Sequence, residues 1–118
     1  MGLTFIKAKL TNPKDTSKSF LGEFLVDTGA TYTLIPKSSV NQLGLIPKRI
    51  IELVLADGKI LTRGVGEVLL EMNGQEVSTP VILGEEEESL LLGAVTLEEM
   101  GFAVNPLTRS IYPIKTFV

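Results

Sequence analysis

Apolar and polar residues alternate with a period of two along much of the chain, and turn residues interrupt the alternation at short intervals. LTFIKAKL (Leu3 to Leu10) sets Ile6, Ala8 and Leu10 against Lys7 and Lys9, the pattern of a half-buried strand. TNPKDTSKS then carries turn residues and charge and predicts a hairpin loop, from which FLGEFLV returns as a second strand ending on Asp27. TYTLIP predicts a short strand closed by Pro36, which cannot donate to a ladder. In KSSVNQLGL, Ser38 or Ser39 offers a helix cap and Gly44 a stop, which predicts one or two helical turns. RIIELVLA and KILTRGVGEVLLEM read as strands joined at Asp57-Gly58, a pair suited to a tight primed turn whose two central residues both take positive φ. Asn73-Gly74 predicts a second hairpin, leading into QEVSTPVIL. A fully apolar strand, Leu90 to Leu92, precedes Gly93 and a short helix capped by Thr96, with Glu98 and Glu99 near its positive N-terminal end. FAVN, a turn at Pro106 and SIYPIKTFV end the chain in extended structure.

The expected fold class is therefore all-β with one or two short helices. At 118 residues, 44% of them hydrophobic, residues 1–118 suffice for one domain with a single core. Most of Leu53, Val54, Leu55, Val68, Leu69, Leu70, Leu90, Leu91 and Leu92 are expected in that core.

Charge narrows the function. The net charge is only -3 and the basic residues are scattered, so no nucleic-acid surface is expected. No apolar run approaches the roughly 18 residues of a membrane span. MGLTFIKAKL lacks the long apolar segment of a signal peptide, and the position that a myristoylation site fills with Ser or Thr holds Ile6. A soluble, cytoplasmic protein is expected. The run Glu85 to Glu88 reads as a solvated acidic loop, because consecutive residues do not converge on one ion; no metal and no cofactor are expected. Gly64-x-Gly66 has neither a third glycine nor a following helix, which argues against a nucleotide loop.

Cys and His are both absent, which excludes cysteine nucleophiles, Ser-His triads, thiolate zinc sites and imidazole bases. Proton chemistry falls to carboxylates or Lys, and the only aspartates are Asp15, Asp27 and Asp57. Asp27 is the conspicuous one, since an apolar strand, Phe24-Leu25-Val26, delivers it directly into Thr28, Gly29 and Ala30. The plain reading is a turn residue, because Asp side chains bond their own backbone two residues on. The functional reading is a carboxylate held in a tight, partly buried turn, with Thr28 tying down neighbouring backbone and the Gly29 N–H aimed back at the charge.

LVDTGATYTLIP resembles the active-site signature of the aspartic proteases, in the Asp-Thr-Gly-Ala form of the retroviral, or retropepsin-like, type and its small cellular and prokaryotic relatives. The order of later segments agrees: LADGKI (Leu55 to Ile60) falls where that family has its flap, and SLLLGA where it has an apolar-apolar-Gly strand followed by a short helix. The resemblance runs from about Phe20 to Ile114 and implies a retropepsin-like closed β-barrel of one lobe. It implies catalysis by Asp27, with Thr28 and Gly29 positioning it. It also implies a flap and cleft that contact substrate through Ala30, Leu55, Ala56, Asp57, Gly58, Ile60 and Leu91, of which Leu55, Ile60 and Leu91 are expected to accept apolar side chains.

The implied chemistry needs two carboxylates sharing one proton, since two a few Å apart cannot both ionise. One takes a proton from water while the other donates to the substrate carbonyl. Asp15 lies in a polar loop and Asp57 at a hairpin tip, so the second Asp27 is expected from another copy, giving a two-fold homodimer acting on a peptide or protein substrate. Apolar termini, LTFI and IKTFV, are expected to take part in that dimer. Viral enzymes commonly carry an Asp two residues after the signature glycine and an Arg directly after the second glycine; here these are Thr31 and Ala94. With Ala30 in place of the Ser of many two-lobed relatives, one donor to the carboxylate is missing and activity at weakly acidic to neutral pH is expected. The alternative function is a non-catalytic retropepsin-like module for peptide binding or dimerisation, in which Asp27 serves turn geometry alone.

Overall fold

A computed structural model describes residues 3–105, 107–108 and 110–114. Nine strands and two short helices are present among them: β1 (Phe5–Asn12), β2 (Asp15–Val26), β3 (Thr33–Ile35), α1 (Lys37–Leu43), β4 (Arg49–Val54), β5 (Ile60–Met72), β6 (Gln75–Leu83), β7 (Leu91–Leu92), α2 (Ala94–Met100), β8 (Phe102–Asn105) and β9 (Ser110–Pro113). The main sheet runs β1-β2-β7-β3-β6-β5-β4, and β1 also pairs with β5 through Lys9 to Thr11, so six strands close a ring and β4 stands outside it. β8 and β9 form a separate ribbon. This is the expected all-β fold with two short helices. No helix among the described residues is long and apolar enough to cross a membrane.

The period-two pattern sets the core. In β1, Ala8 and Leu10 are buried while Lys7 and Lys9 face solvent. Phe24, Ile35, Val68, Leu70, Val81 and Leu92 meet them from the other strands, and Leu43 and Leu97 close the ends from the two helices. The two hairpins of the β4-β5-β6 meander differ in their turns. Asn73 and Gly74 both take positive φ (49° and 76°), the two-residue primed turn expected of that pair.

The Asp57-Gly58 expectation is corrected. Only Gly58 has positive φ (87°), and Leu55 donates to Lys59 O at 2.8 Å while Gly58 N–H reaches Leu55 O at 2.9 Å. This is a three-residue connection, Ala56 to Gly58, in which a turn is followed by a left-handed glycine. Asp57 Oδ1 accepts the Lys59 N–H at 2.9 Å and favours that form over the shorter one.

Other expectations also shift. The predicted loop at TNPKDTSKS is mostly strand: only Pro13 and Lys14 lie between β1 and β2, and the extra residues form a bulge where the register jumps from Thr11↔Ser19 to Asn12↔Asp15. Asp15 is thus a strand residue, its Oδ1 accepting from the Ser17 hydroxyl (2.6 Å) and N–H (3.2 Å). Neither serine caps α1. Pro36 precedes it in extended conformation, and Ser39 is buried inside it. Gly93, not Thr96, precedes α2, so Thr96 lies within the helix with its hydroxyl turned inward, and Glu98 and Glu99 sit beyond the first turn. Val54, the last residue of β4, and Leu55 just after it are exposed (74% and 40%), at the end of a strand that lies outside the closed ring. The turn at Pro106 and the residues Lys115 to Val118 lie outside the described residues.

Candidate active site

Three strands place Asp27. The end of β2 lies between β1 and β7: Val26 donates to Thr4 O at 2.8 Å, Leu25 and Val26 pair in parallel with Leu91 and Leu92, and the Asp27 N–H reaches Leu92 O at 3.0 Å. The backbone of Asp27 is therefore fixed by the sheet although its side chain has left it. The carboxylate is half-buried, and its Oδ1 accepts the Gly29 N–H at 3.0 Å. A turn closes with Ala30 N–H on Asp27 O at 3.1 Å. Thr28 is exposed, and its hydroxyl makes no hydrogen bond among the described residues; it does not tie down its own chain's backbone.

The start of α2 supports this loop from behind. Ala94 N–H donates to Ala30 O at 2.8 Å and Val95 N–H to Thr31 O at 3.0 Å. A helix start leaves such N–H groups without intrahelical partners, and here the Asp27 loop supplies the carbonyls. Gly93 permits the approach, since a Cβ there would lie 2.5 Å from Tyr32 O and 2.8 Å from Thr33 N.

A cleft of about 640 Å³ opens beside the loop. Gly29, Ala30, Thr31 and Tyr32 form one wall. Ile51, Leu53, Val54, Leu55 and Leu61 of the β4-β5 hairpin also line it, together with Leu34, Ile82 and Leu91. Of the residues expected at the flap and cleft, Ala30, Leu55 and Leu91 line it, whereas Ala56, Asp57, Gly58 and Ile60 do not. Asp57 pairs instead with Lys59 (3.8 Å) at the hairpin tip, and Ile60 is 59% exposed.

A scan of family models matches residues 20–99 to the family described as "gag-polyprotein putative aspartyl protease". The chain belongs to this retropepsin-like aspartyl protease family. A search of curated proteins finds no match.

In this retropepsin-like chain, the cleft and the supports of the Asp27 loop hold groups that sequence reading missed. Arg63, the β5 partner of Ile51 and a lining residue of the cleft, donates from Nη2 to Glu88 Oε1 at 3.4 Å. Glu88 also takes the Glu85 N–H at 2.6 Å, so the acidic run is not wholly solvated: its last member turns in, and the other three remain exposed. Arg49 lies 5.9 Å from the centre of the Tyr32 ring at the cleft edge. Behind the loop, the hydroxyls of Thr33, Thr79 and Thr96 come together although they lie on β3, β6 and α2. Thr33 and Thr96 are lone polar residues in apolar segments (TLI, GAVTL) and Thr79 opens the apolar run PVIL after Ser78, the one sequence signal that would have marked them.

Proposed function

We propose that the protein is an aspartic endopeptidase that works as a two-fold homodimer, with one Asp27 from each subunit. The observation that carries the reading is a single half-buried carboxylate, oriented by the Gly29 N–H at the end of a sheet-held strand, in a loop whose next residues, Gly29 to Tyr32, line a largely apolar cleft. One ionised Asp27 takes a proton from water, whose oxygen attacks the peptide carbonyl carbon. The protonated partner donates to the carbonyl oxygen. The tetrahedral intermediate then collapses, the C–N bond breaks, and the amine leaves with a proton from the dyad, so no covalent enzyme intermediate forms.

In this reading Thr28, exposed and without a hydrogen-bond partner among the described residues, hydrogen-bonds across the dimer axis, and Gly29 holds the carboxylate. The β4-β5 hairpin is the flap, and an extended peptide lies beneath it as an added strand with apolar side chains in the cleft. Leu55 and Leu91 are substrate contacts. The same reading makes residues 1–118 one domain of a soluble, cytoplasmic enzyme without metal or cofactor.

Cleavage of a diverse peptide mixture, followed by mass spectrometry alongside sedimentation equilibrium, tests it. The expected result is cleavage by the dimer and none by Asp27→Asn at the same dimer fraction. A wild-type dimer that binds peptides without cutting them, or cleavage surviving Asp27→Asn, refutes the enzyme and favours the binding module.

A further inference from the structure

Thr33, Thr79 and Thr96 are all 0% exposed, and their hydroxyls form one line. Thr33 Oγ1 is 2.7 Å from Thr96 Oγ1, Thr96 Oγ1 is 2.9 Å from Thr79 Oγ1, and the Thr79 hydroxyl donates to Glu99 Oε1 at 2.6 Å. No buried side-chain nitrogen or oxygen among the described residues lacks a partner, so the line is fully satisfied. Its two ends fix its direction. At one end the Gly93 N–H, which can only donate, reaches Thr33 Oγ1 at 3.1 Å. At the other, an ionised carboxylate can only accept. A hydroxyl has one proton, so Thr79, having given its own to Glu99, must accept from Thr96. Thr96 must then accept from Thr33. Every hydroxyl donates once and accepts once, in one sense, from the Gly93 amide to the Glu99 carboxylate.

Hydrogen bonds in such a chain polarise one another, and the charge at its end strengthens the first link most. The far end lies at the candidate active site. Gly93 follows Leu92, whose carbonyl takes the Asp27 N–H, and precedes Ala94, whose N–H holds the Ala30 carbonyl. A network serving core stability alone has no need to end at the surface, yet Glu99 is an exposed residue. We propose that Glu99 is a positioning residue for the Asp27 loop, its carboxylate orienting the Gly93 turn through Thr79, Thr96 and Thr33. It touches no substrate. Its bearing on catalysis rests on the endopeptidase reading, but the coupling itself does not.

The test is NMR on the isotope-labelled full chain, comparing wild type with Glu99→Gln, Thr96→Ser, Thr96→Val and the Glu99→Gln/Thr96→Val double variant. The threonine hydroxyl protons and the amides of Asp27, Gly29, Gly93 and Ala94 are followed. Glu99→Gln keeps an acceptor but removes the charge. It is expected to move the Thr79 hydroxyl most and those of Thr96 and Thr33 progressively less, and still to shift the Gly93 and Asp27 amides. Thr96→Val breaks the line: Thr33 Oγ1 still accepts the Gly93 N–H but loses its own acceptor, so the Gly93 amide is expected to shift and to exchange faster than in wild type. Adding Glu99→Gln to Thr96→Val then changes nothing further at Gly93 or Asp27, and Thr96→Ser restores the wild-type pattern. A response to Glu99→Gln confined to Thr79, with Gly93 and Asp27 at their wild-type positions, overturns the proposal. Should Thr96→Val fail to fold, Glu99→Gln and Thr96→Ser decide it alone. Where peptide cleavage is measured, Glu99→Gln lowers kcat with KM unchanged. Absence of cleavage by wild type refutes the endopeptidase and leaves the NMR result standing.

Discussion

Gly93→Ala is the most incisive single change to the scaffold beneath Asp27. The added methyl would lie 2.5 Å from Tyr32 O and 2.8 Å from Thr33 N, with the Tyr32 carbonyl carbon also in contact. All three atoms are backbone, so no side-chain rotation relieves the overlap, and β3 must move away from the β7-α2 junction. β3 is anchored by its parallel pairing to β6 from Thr33 to Ile35, and α2 by the bonds of Ala94 and Val95 to Ala30 and Thr31. Overpacking typically costs 1–3 kcal/mol, and with both sides anchored we expect about 3 kcal/mol, which at a slope of about 1.5 kcal/mol/M lowers the urea midpoint by about 2 M. Gly74→Ala is the control. It has positive φ (76°) but nothing within 4 Å, so it reports backbone strain alone, expected at about 1 kcal/mol. Equilibrium urea unfolding followed by far-UV circular dichroism compares the two. A Gly93→Ala midpoint no lower than that of Gly74→Ala would refute the argument that close backbone approach is what glycine permits at this position.

Phe24→Ala removes the largest fully buried side chain and is expected to cost about 4 kcal/mol, read as a fall in thermal midpoint; a loss under about 1 kcal/mol would show that the ring interior collapses onto the gap. Asp15→Asn probes a carboxyl held below its ordinary range by hydrogen bonds from the Ser17 hydroxyl and N–H and, last and least, by Lys18. A folded pKa below the unfolded one gives stability that is present above the unfolded value and lost as pH falls through the folded value. Wild type should therefore be the more stable at pH 7, and the gap to Asp15→Asn should shrink toward pH 3 in paired urea titrations. Asn73→Gly keeps the primed turn, whereas Asn73→Pro, with φ locked near -65° against the observed 49°, should be the more destabilised in the same assay.

What could be read from the sequence was what local periodicity and turn chemistry encode. The alternation in β1 placed Ala8 and Leu10 inside, and Asn73-Gly74 placed a primed turn, because each is decided within a few residues. The misreadings arise where one local composition fits two conformations. Thr96 beside Glu98 and Glu99 has the composition of a helix start, and only tertiary packing, which brings Thr33 and Thr79 within reach of its hydroxyl, shows that it belongs inside. Asp57-Gly58 likewise has the composition of a two-residue turn, and the Asp57 bond to the Lys59 N–H selects the longer one. At the candidate site, the strand delivering Asp27 was legible, as was the small-residue turn around it. The parallel pairing of β2 with β7 was not, because its partners lie 66 residues apart in the register Leu25↔Leu91 and no local signal joins them.

The same distinction accounts for Thr31 and Ala94, where the chain departs from the retroviral pattern. A charge pair at those positions would tie the loop to the helix through side chains. In this chain the tie is made by backbone, with the first N–H groups of α2 on the carbonyls of Ala30 and Thr31. Such bonds need no particular side chain, so the charge pair is dispensable provided the helix start is held in place. Gly93 allows the required approach, and the threonine line fixes its amide from the other side. Replacing a buried ion pair by satisfied neutral groups avoids the desolvation of two charges, whose cost can exceed their attraction. Placing Asp at position 31 and Arg at position 94 together is accordingly not expected to stabilise the isolated chain, because the contacts they would make are already made by the peptide groups beside them.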